Sequence, residues 1–445
     1  MPAIERQALA TGPTPMIDLQ SKLSPWRHAP SWCVALSGGL DSTVLLHLLA
    51  SLSRQHPLPP LRAIHIHHGL QAAADAWPAH CQRLCDDLGV DLQIIHVKVA
   101  PGASLEQGAR DARYAAFAEA LRPGEVLLTG QHREDQAETL LFRLLRGAGV
   151  RGLAAMPAQR ALGQGLLLRP LLDVSREALE RYAHAQQLVW VEDPSNGETQ
   201  YSRNYLRHAV FPVLRQRWPQ AAQSLARTAE HLSEAQGLLD ELALEDLHQA
   251  CTPCGFDWLP LASLDLSVLR GLSPARQRNA LQYWLAQRTR LPDTRHWAGW
   301  EDLRDASGDG RPCWRLADGE LQRANERIWW LADDWLKAPV GQDWDDPAQR
   351  LTLPGNGTLH LSGMMPQGPL RVAYRQGGES LQVAGRGRRD LKRLLNELQV
   401  PAFVRCRLPL LYRGEQLLAV ANLPELSQGP WQLHWCIPTS AQGLR

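Results

Sequence analysis

The chain has 445 residues, 44% of them hydrophobic and 21% charged, with a formal net charge of +1. That is room for roughly two to four domains of ordinary globular composition. No stretch approaches the run of about 18 apolar residues that a membrane-spanning helix needs, and the near-neutral charge leaves any nucleic-acid contact to local patches.

Met1 to Ser24 lacks the charged-then-apolar order of a secretory leader. The eight cysteines are scattered, which predicts unpaired thiols in a reducing cytoplasm. Cys251-Thr252-Pro253-Cys254 offers at most two of the four ligands of a structural zinc site and reads as a loop.

Between Ser31 and Leu153 short apolar runs alternate with amphipathic ones. The pattern predicts strands over 32–36, 61–66, 92–99 and 125–129, and helices over 41–53, 74–88, 104–121 and 135–147. Strands spaced by helices give an α/β domain with a parallel sheet, whose ligands bind at the carboxyl ends of the strands. The first of those ends carries Ser37-Gly38-Gly39-Leu40-Asp41-Ser42. A glycine pair between strand and helix lets backbone N–H groups converge on a phosphate, with the helix dipole behind them. Asp41 would repel that phosphate unless a divalent cation lay between, which points to Mg²⁺ at Asp41. No lysine follows the glycines, which disfavours a Walker-type loop.

Further along, Arg110 and Arg113 lie three apart on one helix face, able to neutralise charge building on phosphates or to form an exposed ladder with the neighbouring acids. After the fourth strand comes Gly130-Gln131-His132-Arg133-Glu134-Asp135-Gln136-Ala137-Glu138. Acids in a first helical turn complement the dipole. Three of them beside a histidine, at the same mouth as the glycine loop, exceed that need. They can hold Mg²⁺ or a substrate ammonium, or take a proton from an attacking amine.

Residues 170–215 continue this domain with a helix capped by Ser175. The run Tyr201-Ser202-Arg203-Asn204-Tyr205-Leu206-Arg207 interleaves cations and aromatics, as an RNA-facing loop or a polar hinge would. From Trp218 the chain turns leucine- and alanine-rich, predicting a helical middle domain over 218–337. After a linker at 338–349, alternating segments and one helix predict a small α+β domain over 350–440. Its Gly385-Arg386-Gly387-Arg388-Arg389-Asp390-Leu391-Lys392-Arg393 reads as a basic helix start. Cations there oppose the dipole, so phosphate binding explains them better than stability does.

The SGGxDS loop resembles that of the PP-loop ATP pyrophosphatases. Those enzymes cleave ATP between its α and β phosphates, place AMP on a carbonyl-type oxygen and let a nucleophile displace it. Nearly the whole chain resembles the tRNA(Ile)-lysidine synthetase family in its longer three-domain bacterial form. The resemblance rests on SGGLDST, His65-Ile66-His67-His68-Gly69-Leu70, EQGARDARY, LLTGQHREDQAETLLFRLLRGAGVRGL, LLRPLL, EDPSN…YSRNYLRH and GRGRRDLKRLLNELQVPAFVRCRLPLLY. It departs from the family at Glu134, where Asp is usual, at Gln131, where His is common, and at His67, where Asn or Asp is common.

The resemblance implies a 1–217 catalytic domain that joins free L-lysine to C2 of the wobble cytidine of a CAU-anticodon tRNA(Ile), releasing AMP and pyrophosphate. It implies ATP contacts from Ser37, Gly38, Gly39, Leu40, Asp41, Ser42, His65 and His68, with Mg²⁺ at Asp41. Asp41, Arg110, Arg113 and Asp135 would be catalytic, and His132, Glu134, Asp135 and Glu138 would bind lysine. Arg203, Asn204, Arg207, Arg386, Arg388, Arg389, Lys392 and Arg393 would bind tRNA. A homodimer is carried as an open expectation.

A PP-loop tRNA thiolase is the leading alternative. It calls for cysteines near the loop, and the first domain has only Cys33, Cys81 and Cys85, with no CxxC. An ammonia-fed amide ligase would need a glutaminase domain, and an ATP-gated RNA-binding protein would transfer nothing.

Overall fold

The computed structural model describes residues 17–69, 72–99, 105–307, 312–383 and 386–438. Leu70 and Gly385, and position 104 at the start of the helix expected over 104–121, lie outside them. The chain divides into two compact units, Met1–Gly237 and Leu238–Arg445.

In the first unit the strands are β1 (Trp32–Ala35), β2 (Leu61–His67), β3 (Asp91–His96), β4 (Val126–Leu128), β5 (Gln159–Leu162) and β6 (Gly165–Leu168). They form one sheet in the order β3-β2-β1-β4-β6-β5, parallel except for the β5–β6 pair. The helices that matter below are α1 (Leu19–Leu23), α2 (Leu40–Gln55), α3 (Trp77–Leu88), α4 (Leu105–Ala120), α5 (Arg133–Leu144), α6 (Val150–Leu153), α7 (Arg176–Ala185) and α8 (Ser202–Tyr205). The four strands and four helices expected before residue 148 are all present, within a few residues of their expected ends.

Successive strand residues point to opposite faces, and the cores follow that period. Val34, Ala63, Leu128 and Leu168 pack with Leu45, Cys81 and Leu179 from α2, α3 and α7. Cys33, Ile64, Leu127 and Leu167 pack with Phe117 and Leu121 from α4 and just beyond it. A sheet covered on both faces explains why its strands read as unbroken apolar runs. At the amino ends of the strands the buried Glu125 accepts from Arg62 Nε at 2.7 Å and from Ser31 Oγ at 2.7 Å, joining β1, β2 and β4 away from the loops.

The second unit contains helices such as Pro274–Ala286 and Ala298–Asp305. They pack with a four-stranded antiparallel sheet drawn from Ser263–Asp265, Cys313–Arg315, Glu320–Ala324 and Arg327–Leu331, which the leucine-rich composition does not announce. Tryptophans 284, 297, 300, 314 and 330 fill that core. Beyond it, short antiparallel sheets and the helix Leu391–Glu397 surround a second core that includes Trp344, Leu394 and Trp435. Cys251 and Cys254 are free thiols in a loop.

Candidate active site

Three segments at the carboxyl ends of β1, β4 and β6 build the site. After β1, Gly38 takes φ = +84° and Gly39 caps α2 in extended conformation. A side chain at Gly38 would be strained and would press on Cys81 and Val191. Ser42 Oγ accepts from Ser37 N at 3.2 Å and donates to Gly39 O at 3.1 Å, so its hydroxyl braces the loop from inside. Gly130, at the end of β4, permits a close approach to this loop. A Cβ there would stand 2.9 Å from the Asp41 carbonyl carbon.

His132 caps α5 and is 1% exposed. Its backbone N–H donates to Asp135 Oδ2 at 3.1 Å, closing a capping box. Its ring lies among acids: Nδ1 is 3.1 Å from Glu134 Oε2, and Nε2 is 3.5 Å from Asp135 Oδ2 and 3.7 Å from Asp41 Oδ2. Burial alone would lower the imidazole. The carboxylates of Asp135, Glu134 and Asp41 outweigh it and push His132 up to about 9. Raised this far, the ring favours its cationic form, in which Nδ1 donates to Glu134 Oε2 and gives up the capping bond it would otherwise accept from the Glu134 N–H, 3.2 Å away.

The four acids are not equivalent. Burial raises Asp41, with His132 and Arg176 opposing and Asp135 reinforcing, and its Oδ1 is buried with no hydrogen-bond partner. Glu134 is half-buried, and although burial would raise it, His132 and the Arg176 backbone N–H, 2.8 Å from Oε2, hold it below its ordinary value. That carboxylate ties α5 to the first turn of α7. Glu138 is 3% exposed and raised by burial, and Arg207 grips it at 2.8 and 2.9 Å. Arg207 also reaches Asp135 Oδ1 at 3.3 Å. The side chain of Arg207, read as an RNA contact, therefore lies in the acid cluster, in a π-helical turn over Leu206–Val210.

His65 is buried and lowered by that burial. Its Nδ1 lies 2.9 Å from Leu36 O, and Nε2 has no partner. His68 is pushed down to about 4 by burial and by Arg113 beside it. Arg110 and Arg113 stand in a group of arginines with no carboxylate paired to them among the described residues. Asn204 Nδ2 donates to Ser195 O and Glu198 O, bracing the preceding loop. Arg386, Arg388, Arg389, Lys392 and Arg393 are all exposed. Arg388 and Arg389 lie in the strand Gly387–Asp390, and Asp390 caps the helix. Only Lys392 and Arg393 occupy its first turn, so most of the block lies ahead of the helix.

Two residues have roles that the sequence does not assign. Arg176 Nη1 stands 3.8 Å from Asp41 Oδ2 while its Nε donates to Glu180. A cation at the first position of the helix predicted after Ser175 opposes the dipole, and that was its available signal. Gly130 had none, because its role depends on how closely β4 and α2 approach.

A parallel sheet with this glycine loop and these acids at its carboxyl mouth defines a PP-loop nucleotide-binding protein. The PP-loop domain model matches residues 15–214, the TilS substrate binding domain model 264–329 and the TilS substrate C-terminal domain model 370–435. The chain is 70% identical to a tRNA(Ile)-lysidine synthase from Pseudomonas putida, over 95% of this chain and 99% of that one. It is 60% identical to one from Pseudomonas aeruginosa, over 97% and 100%, and 40% identical to one from Coxiella burnetii, over 88% of each. The chain belongs to the tRNA(Ile)-lysidine synthase family. Among solved structures, a U34-tRNA thiolase from Methanococcus maripaludis with a [4Fe-4S] cluster is similar at 20% identity and TM-score 0.39, over 46% of this chain and 73% of that one. No helix among the described residues is long and apolar enough to cross a membrane.

Proposed function

We propose that the chain ligates the ε-amine of free L-lysine to C2 of the wobble cytidine in tRNA(Ile) with a CAU anticodon, consuming ATP. The observation that carries this reading is the meeting of Asp41, from the glycine loop, with His132 and Asp135, from the acid helix, at 3.5–3.7 Å around one imidazole. A nucleotide-phosphate loop and an ammonium-binding acid cluster then share one mouth.

In the first step the cytidine C2 oxygen attacks the α-phosphorus of ATP, and the bond to the bridging oxygen breaks, releasing pyrophosphate. The loop N–H groups and the α2 dipole hold the phosphates, and His65 and His68 stand by as ATP contacts. Arg110 and Arg113 stabilise the charge on the adenylated cytidine. In the second step the lysine amine bonds to C2, the C2–O bond breaks and AMP leaves. Asp135 orients the ammonium and accepts its proton. His132, Glu134 and Glu138 fix the position of Asp135, with Arg207 on the far side.

The orphaned, buried Asp41 Oδ1 fits a hard cation. Among the described residues no group of three or more His, Cys, Asp or Glu side chains is arranged to hold a metal ion, so substrate phosphates and water would complete the shell, as is usual for Mg²⁺. Mg²⁺ at Asp41 would neutralise phosphate charge.

We assign catalysis to 1–217, substrate binding to 218–337 and tRNA binding to 350–440. Arg386, Arg388, Arg389, Lys392 and Arg393 would hold tRNA phosphates, and Arg203 would do so nearer the chemistry. Asn204 would support it by bracing the loop. The reading implies a cytoplasmic enzyme and leaves a homodimer open. It is tested by AMP release with purified tRNA(Ile), with and without lysine. AMP appearing only with both ATP and the CAU-anticodon tRNA, and faster with lysine, is expected. Equal release from any tRNA would overturn it.

A further inference from the structure

The arginines around Tyr114 have no counter-charge in the site described so far. Arg110 and Arg160 lie over the Tyr114 ring, 5.2 and 4.8 Å from its centroid. Arg169, immediately after β6, is 4% exposed, bonds the Tyr114 hydroxyl and donates to Pro157 O at 2.6 Å. Arg143 Nη1 donates to Gly152 O and Ala155 O at 2.8 and 2.7 Å. Arg203 Nη2 reaches Thr139 Oγ1, one residue from Glu138, at 3.4 Å.

Burial and mutual repulsion lower Arg113, Arg143 and Arg169 together. Among the described residues no carboxylate pairs with any of these six guanidinium groups. Carbonyls satisfy some of their N–H groups but leave the charge uncompensated. Arg169 is buried and the other five are half-buried; charges taken out of water are normally paired, so the group is well placed to receive an anion.

We infer that Arg113, Arg143, Arg169 and Arg203 form a phosphate seat for the RNA backbone beside the nucleotide that reacts, with the Tyr114 hydroxyl anchoring Arg169. This inference rests on the ligase reading above. Two sources of phosphate are conceivable, the ATP tail and the RNA. The glycine loop and α2 already offer the nucleotide its own N–H groups. The arginines come from α4, α5, the end of β6 and α8, none of them part of the glycine loop. The residues next to them suit RNA as well. Tyr205 is 53% exposed two positions after Arg203, and Leu144 and Leu145 are 50% and 70% exposed directly after Arg143. Exposed aromatic and apolar side chains among guanidinium groups suit splayed bases of a single-stranded loop.

The test is tRNA affinity across a salt series, with the Michaelis constant for ATP measured in parallel. The variants are Arg143→Gln with Arg203→Gln, Arg113→Gln alone, and Arg143→Lys. Each lost contact should reduce the slope of log affinity against log salt by about 0.7, so the double variant loses about 1.4. Arg113→Gln breaks no hydrogen bond among the described residues and should lose about 0.7 without unfolding. Arg143→Lys should keep the slope. The ATP constant should stay within about twofold in the Arg143 and Arg203 variants, while Arg113→Gln, which also faces the adenylated cytidine, is judged on its RNA slope alone. A raised ATP constant with an unchanged RNA slope would assign the seat to the ATP tail and overturn the inference. Unchanged values for both would show that the arginines serve the fold alone. If the slope falls as expected while the wild type binds tRNA but transfers no lysine, the seat stands and the ligase reading fails.

Discussion

Asp41 and Asp135 share one cationic imidazole, yet substitution separates their tasks. Asp41→Ala removes the acid at the phosphates and should abolish AMP release while the melting temperature holds. Unchanged turnover would refute its role. Asp135→Asn keeps the capping oxygen for the His132 N–H but loses the base. Lysine transfer should fall by at least the ~100-fold typical of a positioned acid or base, with adenylation affected less. A loss under threefold would move the role to Glu138. At this scale the sequence was informative where chemistry forces residue types: glycines at a phosphate, acids crowded at a strand end. It was silent on partners. Nothing in the order of residues says that Glu134 turns toward α7 or that Arg207 reaches across about 70 positions to Glu138.

Elements carry the next level, and their contacts decide what a neutral-looking change does. Gly130→Ala would drive a methyl into the Asp41 backbone at 2.9 Å. The start of α2 should shift, raising the Michaelis constant for ATP severalfold with little change in melting temperature. An unchanged constant would show that β4 yields instead. Glu125 at the opposite sheet end is a stability residue. Burial raises it, but Arg62, Ser31 and Arg122 outweigh that and hold it below its ordinary 4.5. A depressed carboxyl stabilises the fold above the unfolded value and loses that contribution as pH falls through the folded value. Glu125→Gln should therefore cost about 1.5–3 kcal/mol at neutral pH by leaving the half-buried Arg62 without its counter-charge. It should also flatten the decline in stability below pH 4.5. Parallel acid limbs for the two proteins would contradict this. The strands and helices of the parallel sheet were legible because burial on both faces writes long apolar runs. The β5–β6 hairpin and the π turn at Leu206–Val210 were not, because tertiary contacts rather than periodicity define them.

Across the whole molecule, the proposed labour is divided between chemistry, with an RNA seat beside it, in the first unit and further tRNA grip in the second. In the C-terminal block Glu397 pairs with Arg386 and Arg393, while Arg388 and Arg389 stay exposed on a strand. Arg388→Ala with Arg389→Ala should weaken tRNA binding and lower its salt slope by about 0.7–0.9 per lost contact, leaving the ATP constant unmoved. Equal affinities and parallel slopes would make the block a solvated surface. The sheet hidden in the middle region was illegible because its strands are three to five residues long and embedded among tryptophans. The central claim is the transfer itself. Purified protein, ATP and labelled lysine should be incubated with unmodified tRNA(Ile) bearing a CAU anticodon, and the tRNA digested to nucleosides. The account predicts label on the wobble cytidine, in proportion to AMP formed. AMP formation with no lysine on that nucleoside, or label on a different one, would contradict it.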